Sequence, residues 1–103
     1  AVTAVSGSGP AYVFLLAECL AEAGDEAGLD PELAARLARA TVSGAGELLR
    51  RSDLSAAELR QNVTSPKGTT AAALEVLMGK DGFADLLKRA VAAAAKRSHE
   101  LSS

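Results

Sequence analysis

The stretch Ser6-Gly7-Ser8-Gly9-Pro10-Ala11-Tyr12-Val13-Phe14-Leu15-Leu16-Ala17 decides how this chain folds. Pro10 suits the first position of a helix, where its missing N–H would lack a partner anyway, and the serines and glycines before it read as a flexible, close-packed hinge. From Tyr12 to Leu16 the side chains are apolar without interruption, so the helix is apolar on every side. Such a helix needs protein all round it. It extends to about Ala27, and Gly28 stops it.

The rest of the composition agrees with a helical reading. Among 103 residues there are 23 Ala, 15 Leu and 7 Val, with no Ile, no Trp and 3% aromatics. That is helix-forming material. It cannot clothe the faces of a sandwich, a barrel or the parallel sheet of a complete nucleotide-binding fold. The expected fold class is all-α, a bundle of about five helices in one domain.

Punctuation places the others. Asp30-Pro31 opens a second helix to about Arg51, with Leu33, Leu37, Ala40, Thr41, Gly44 and Leu48 at helical spacing. Ala40 and Gly44 keep that stripe thin enough for a close helix approach, which would offset the cost of Gly44 and Gly46 inside a helix. Ser55-x-x-Glu58 is a capping box that starts a short helix to about Val63. A fourth helix runs from Thr69 to Gly79. A fifth follows Asp81, carrying Phe83, Leu86, Leu87, Ala90, Val91, Ala94, Ser98 and Leu101 on one face and fraying at Leu101-Ser102-Ser103.

An alanine-rich bundle of this size gains little from burial at about 25 cal/mol per Å2, and it has too little protein to cover its first helix. A second copy of the chain solves both problems. The physical expectation is an intimate, interlocked homodimer, with room for a higher homo-oligomer.

Net charge is −2 from 11 basic and 13 acidic residues, so the chain lacks the basic stripe of a nucleic-acid or anionic-membrane binder. The lone Cys19 excludes an intrachain disulfide and a multi-cysteine metal site, fits a reducing, cytoplasmic setting, and reads as a small core residue. No metal site is expected. Ser, Gly and Pro interrupt residues 1 to 17, leaving an apolar run of only Pro10 to Ala17, so no membrane span is expected; nor is a secretory signal, since no basic segment opens the chain. Without an initiator Met, the chain reads as a piece of something longer. Asn62-Val63-Thr64 matches a glycosylation sequon by chance, and His99 reads as a solvated cation near the end of the last helix.

Two segments could carry chemistry. Gly7-Ser8-Gly9 before a helix suggests a dinucleotide loop, but no strand precedes it and Tyr12 occupies the place of the third glycine, so a complete phosphate cradle is rejected. The second is Thr64-Ser65-Pro66-Lys67-Gly68-Thr69-Thr70. Here hydroxyls and a glycine sit immediately before a helix, whose unpaired N–H groups and positive dipole end suit a carboxylate. The plainer alternative is that Ser65 or Thr69 merely caps that helix.

Taken together, Ala4-Val5-Ser6-Gly7-Ser8-Gly9-Pro10-Ala11-Tyr12 and Thr64-Ser65-Pro66-Lys67-Gly68-Thr69-Thr70 resemble the pyrroline-5-carboxylate reductase family. So do Glu22-Ala23, Gly28-Leu29, Asn62-Val63 and Arg97-Ser98-His99-Glu100-Leu101, and the resemblance covers the whole chain. It implies that residues 1–103 are the C-terminal dimerisation and substrate domain of an enzyme that reduces 1-pyrroline-5-carboxylate to L-proline, by hydride transfer to C5 of the ring imine. It further implies that NADPH, or NADH, is held mainly by an N-terminal Rossmann domain absent from these residues, so this chain alone would be inactive. Ser65 and the N–H groups of Gly68, Thr69 and Thr70 would take the substrate carboxylate, the Thr70 hydroxyl would act as the catalytic contact at the ring nitrogen, and Ser8 and Gly9 would lie near the cofactor. Lys67 departs from the family's usual Ser-Pro-Gly-Gly-Thr-Thr. A lysine there is strained if the backbone needs positive φ and comfortable otherwise; its side chain either adds long-range attraction for the substrate carboxylate or points to water, and water is the expectation. The rival readings are a non-enzymatic helical dimerisation module and a related reductase with another imine substrate.

Overall fold

The Asp30 carboxylate accepts the N–H of Leu33 at 3.2 Å and Pro31 begins a helix, so the cap-then-proline signal is realised in full. The computed structural model describes residues 1–102 and contains five α-helices: α1 (Gly9–Glu26), α2 (Pro31–Arg51), α3 (Ala56–Asn62), α4 (Thr69–Leu77) and α5 (Phe83–Ser102). No strand occurs among the described residues. The fold is all-α. Contacts gather the helices into two compact units, residues 9–53 and residues 1–8 with 54 onward.

In the first unit α1 and α2 form a helical hairpin. Gly28 sits at φ +111, the Leu29 N–H donates to Gly24 O at 3.0 Å, and the Gly28 N–H donates to Asp25 O at 3.0 Å. This paired closure, with glycine in the left-handed position, is the Schellman stop. The two helices meet at small residues. A Cβ on Gly24 would lie 3.3 Å from the Ala34 Cβ, and Ala34 and Ala38 are the buried residues of α2.

The packed face is therefore not the predicted stripe. Leu33, Leu37, Ala40, Thr41, Gly44 and Leu48 are all exposed, and Gly44 and Gly46 have open space around them. The reason is geometric. α2 offers two neighbouring faces, and α1 takes the narrower one, Ala34-Ala38-Val42, because only small side chains let the backbones approach. The leucine face stays free. Cys19 is exposed as well, which corrects its reading as a core residue. An open groove of about 900 Å3 runs along the hairpin past Val13, Phe14, Ala17, Arg39, Ala40 and Val42.

In the second unit, Thr3–Gly7 form a π-helical turn, closed by the Ser8 N–H donating to Thr3 O at 2.8 Å. Of the hinge expected at Ser6-Gly7-Ser8-Gly9, Ser6 and Gly7 thus lie in a helical turn, and the boundary between the two units falls between Ser8 and Gly9. The turn packs on α5 and buries Ala4 completely. Taken as one stretch, Thr3–Glu26 is long and apolar enough to cross a membrane by length and composition. The same composition marks a helix that is covered by protein in an assembly.

α3 starts with the predicted reciprocal box: Glu58 N–H donates to Ser55 Oγ at 3.1 Å and Ser55 N–H to Glu58 Oε1 at 3.2 Å. At the other end, α5 continues through Leu101 and Ser102, and the Ser102 hydroxyl donates to His99 O at 3.1 Å. Leu101 and Ser102, where fraying was expected, are thus helical; Ser103 lies outside the described residues. His99 is exposed in the last turn of α5.

Candidate functional site

The connector between α3 and α4 is built bond by bond. Thr64 N–H donates to Gln61 O at 3.1 Å and its hydroxyl to Arg60 O at 2.6 Å, so this threonine finishes α3. Gly68 N–H then donates to Ser65 O at 3.1 Å. With Pro66 in the second place and Lys67 at φ 61 in the third, Ser65–Gly68 has the signature of a type II turn. Lys67 thus occupies the left-handed conformation, the strained one of the two alternatives, and it is exposed.

Gly68 is the N-cap of α4, and no side chain caps that helix. The alternative in which Ser65 or Thr69 merely caps α4 therefore fails. Thr69 and Thr70 fill the first helical positions, and the ladder begins when Ala72 N–H donates to Gly68 O at 3.1 Å. The N–H groups of Thr69 and Thr70 precede that ladder. No acidic side chain stands in the first turn to offset the positive dipole end.

Of the expected anion cradle, then, the turn brings together Ser65, Gly68, Thr69 and Thr70 within one short segment, and the side chains of Ser65, Thr69 and Thr70 are exposed. One assignment needs correction. The Gly68 amide is used inside the turn, so it is not available to a ligand as expected. Its contribution is steric: a Cβ at this position would lie 3.2 Å from Ser65 O and 3.4 Å from the Ser65 Cβ.

Ser8 and Gly9 are half-buried. Ser8 lines a cavity of about 380 Å3 with Thr3, Ala94, Arg97, Ser98 and Leu101, within the unit that holds the π-turn and α5. Those neighbours were not singled out as site residues, although Ala94, Ser98 and Leu101 lay on the stripe of α5. Ser8-Gly9 connects a π-turn to a helix, without the strand that positions a dinucleotide phosphate loop, so the residues present do not fit a dinucleotide cradle. Among the described residues no group of three or more His, Cys, Asp or Glu could hold a metal ion.

Helices whose leucine and aromatic faces lack cover define a self-associating helical domain. The comparison with known proteins is more specific. Residues 1–101 match the family described as pyrroline-5-carboxylate reductase dimerisation, and the chain belongs to that family. It is 49% identical over 102 residues to pyrroline-5-carboxylate reductase of Pseudomonas aeruginosa, covering 99% of this chain and 37% of the relative. The Arabidopsis thaliana enzyme of that name is 51% identical over 102 residues, with the same coverage of 99% and 37%. Among solved structures, a pyrroline-5-carboxylate reductase from Coxiella burnetii superposes with a TM-score of 0.92 at 44% identity, covering 99% of this chain and 37% of that one. The Plasmodium falciparum pyrroline carboxylate reductase, solved with NADP bound, gives a TM-score of 0.91 at 40% identity, covering 99% of this chain and 38% of that one. The chain therefore spans less than two fifths of the length of these relatives.

Proposed function

We propose that this chain is the C-terminal dimerisation and substrate part of a pyrroline-5-carboxylate reductase, a cytoplasmic enzyme that reduces 1-pyrroline-5-carboxylate to L-proline with a nicotinamide cofactor in the last step of proline biosynthesis. The observation that carries this is the turn at Ser65–Gly68. It leaves three hydroxyls and the first amides of α4 without a structural task, beside an uncompensated helix dipole. A small ring with one carboxylate and one imine nitrogen needs those groups: an anion acceptor made of amides and a hydroxyl, and a hydrogen-bond partner at nitrogen.

The division of labour follows from the residues. Ser65 and the N–H groups of Thr69 and Thr70 take the carboxylate, and the Thr70 hydroxyl meets the ring nitrogen and holds it as its charge changes. The nicotinamide, when bound by the rest of the enzyme, supplies the hydride. No side chain on this chain serves as nucleophile, so its part is placement. The exposed faces of α1 and α2 are covered by a second copy.

The test uses the full-length protein of which this chain forms part. Oxidation of NADPH that depends on pyrroline-5-carboxylate, with formation of proline, is the expected result. A protein that dimerises and turns over no cyclic imine would be a helical dimerisation module instead, and preference for another imine would mark a related reductase.

A further inference from the structure

We propose that Lys67 attracts the substrate carboxylate to the Ser65–Thr70 turn, setting the affinity for an anionic substrate by its charge and not by contact with the reacting atoms. This rests on the function proposed above and assigns a specificity residue to the same site.

Three observations carry it. Lys67 is the one charged side chain in the stretch from Gln61 to Leu74, between Arg60 and Glu75, so no neighbour in sequence neutralises its field. It is exposed, and no acid pairs with it among the described residues. It also lies between Ser65 and Thr70, the two ends of the segment that would hold the carboxylate, in a turn closed by the Gly68 N–H to Ser65 O bond. The chain as a whole carries a net charge of −2 and repels an anion, so a local positive charge at the turn changes the sign of the potential there. The ammonium sits on a flexible four-carbon stem, and it acts across roughly a Debye length, about 8 Å at physiological salt, with no fixed geometry required.

A single charge at that range in water alters binding by about two- to threefold, and salt screens it. The experiment measures KM and kcat for pyrroline-5-carboxylate in the full-length enzyme at roughly 10 mM and roughly 1 M ionic strength, where the Debye length falls from about 30 to about 3 Å. The wild-type KM should rise about two- to threefold from the lower to the higher ionic strength. Lys67→Gln should show the high-salt KM under both, Lys67→Arg should follow wild type, and kcat should stay the same within about twofold in every case. A Lys67→Gln enzyme with the wild-type KM and salt response overturns the proposal. So does a Lys67→Arg enzyme that shifts together with Lys67→Gln, because shape and not charge would then be responsible. Thr70→Ala measured alongside separates the two levels: if it loses kcat/KM while Lys67→Gln behaves as wild type, the site stands and only the role of Lys67 falls. Undiminished kcat/KM in Thr70→Ala, or an inert wild type, overturns both.

Discussion

The Gly68 amide donates to the Ser65 carbonyl at 3.1 Å, and that bond makes the α3–α4 connector a turn with a fixed shape. It also holds Lys67 at φ 61 and brings the Gly68 Cα so close to Ser65 that a Cβ would touch its carbonyl at 3.2 Å. The backbone of the connector is therefore pre-formed, and the proposed site would need little further backbone ordering to receive a ligand.

The left-handed lysine should be visible in stability. A side chain in that conformation costs roughly 1–2 kcal/mol, and glycine removes the cost while adding about 0.4–1 kcal/mol of unfolded-chain entropy. Lys67→Gly should therefore stabilise the protein by about 0.5–1 kcal/mol net, read as a higher urea midpoint at unchanged m-value. A lower midpoint would mean that the lysine is not held at positive φ in solution.

Ser65 and Thr70 are predicted to matter for kinetics and not for folding. Neither side chain caps α4, so the loss of about 1 kcal/mol expected on removing a helix cap should not occur, and both Ser65→Ala and Thr70→Ala should melt with the wild type. In the full-length enzyme, Thr70→Ala should lower kcat/KM by about ten- to a hundredfold, the value of a hydrogen bond to a group whose charge changes. Ser65→Ala should mainly raise KM, because a carboxylate anchor serves ground and transition states alike. Lowered melting temperatures with normal kinetics would remove the turn from the proposed site.

How much of this was legible depended on how local each signal is. Asp30-Pro31, Gly28 and Ser55-x-x-Glu58 act within one helical turn, and each boundary fell where those residues placed it. Which face of α2 packs is a tertiary choice. Ala34 and Ala38 won it over the leucine stripe because α1 approaches through Gly24, and nothing in the spacing of α2 alone encodes that partner. Thr3–Gly7 went unread for a similar reason: a π-turn has no composition of its own, and its stability comes from Ala4 buried on α5. At the site, residue types pointed to the turn, but the loss of the Gly68 amide and the sign of φ at Lys67 are matters of backbone geometry.

Glu47 provides a pH test of the surface of α2. Hydrogen bonds from Arg50 first, and then Arg51, hold its carboxyl below the ordinary value of 4.5, with contacts of 2.7 Å to Arg50 Nη2 and 2.6 Å to Arg51 Nε. A depressed folded value means that the stabilisation is present above the ordinary value and is lost as pH falls through the folded one. In carboxyl-detected NMR, Glu47 should titrate below the ordinary value of 4.5, and the double change Arg50→Gln, Arg51→Gln should raise it back toward that value. Because the site is solvated, added salt should narrow the difference. Equal titration in the two proteins would show that these contacts do not persist in water.

The last prediction concerns the cover over α1. Among the described residues of one protomer the fully buried ones are Ala4, Ala34 and Ala38, all alanines, while Val13, Phe14, Leu15 and Leu16 remain open to solvent, Phe14 to 69%. So small a fully buried core, even with the half-buried apolar residues around it, leaves one protomer too little burial to offset the chain entropy of about a hundred ordered residues, so folding and association should be one event. Sedimentation of this chain at micromolar concentration, without detergent, should give twice 10.4 kDa. In a two-fold dimer each substitution counts twice. Phe14→Ala removes roughly 1.5–3 kcal/mol of burial per protomer, so it should weaken association by about a hundredfold or more. Helical circular dichroism should fall in the same concentration range. A folded, soluble monomer with Phe14 exposed would contradict this account, and recovery of the chain only with detergent or lipid would assign the apolar face of Thr3–Glu26 to a membrane instead.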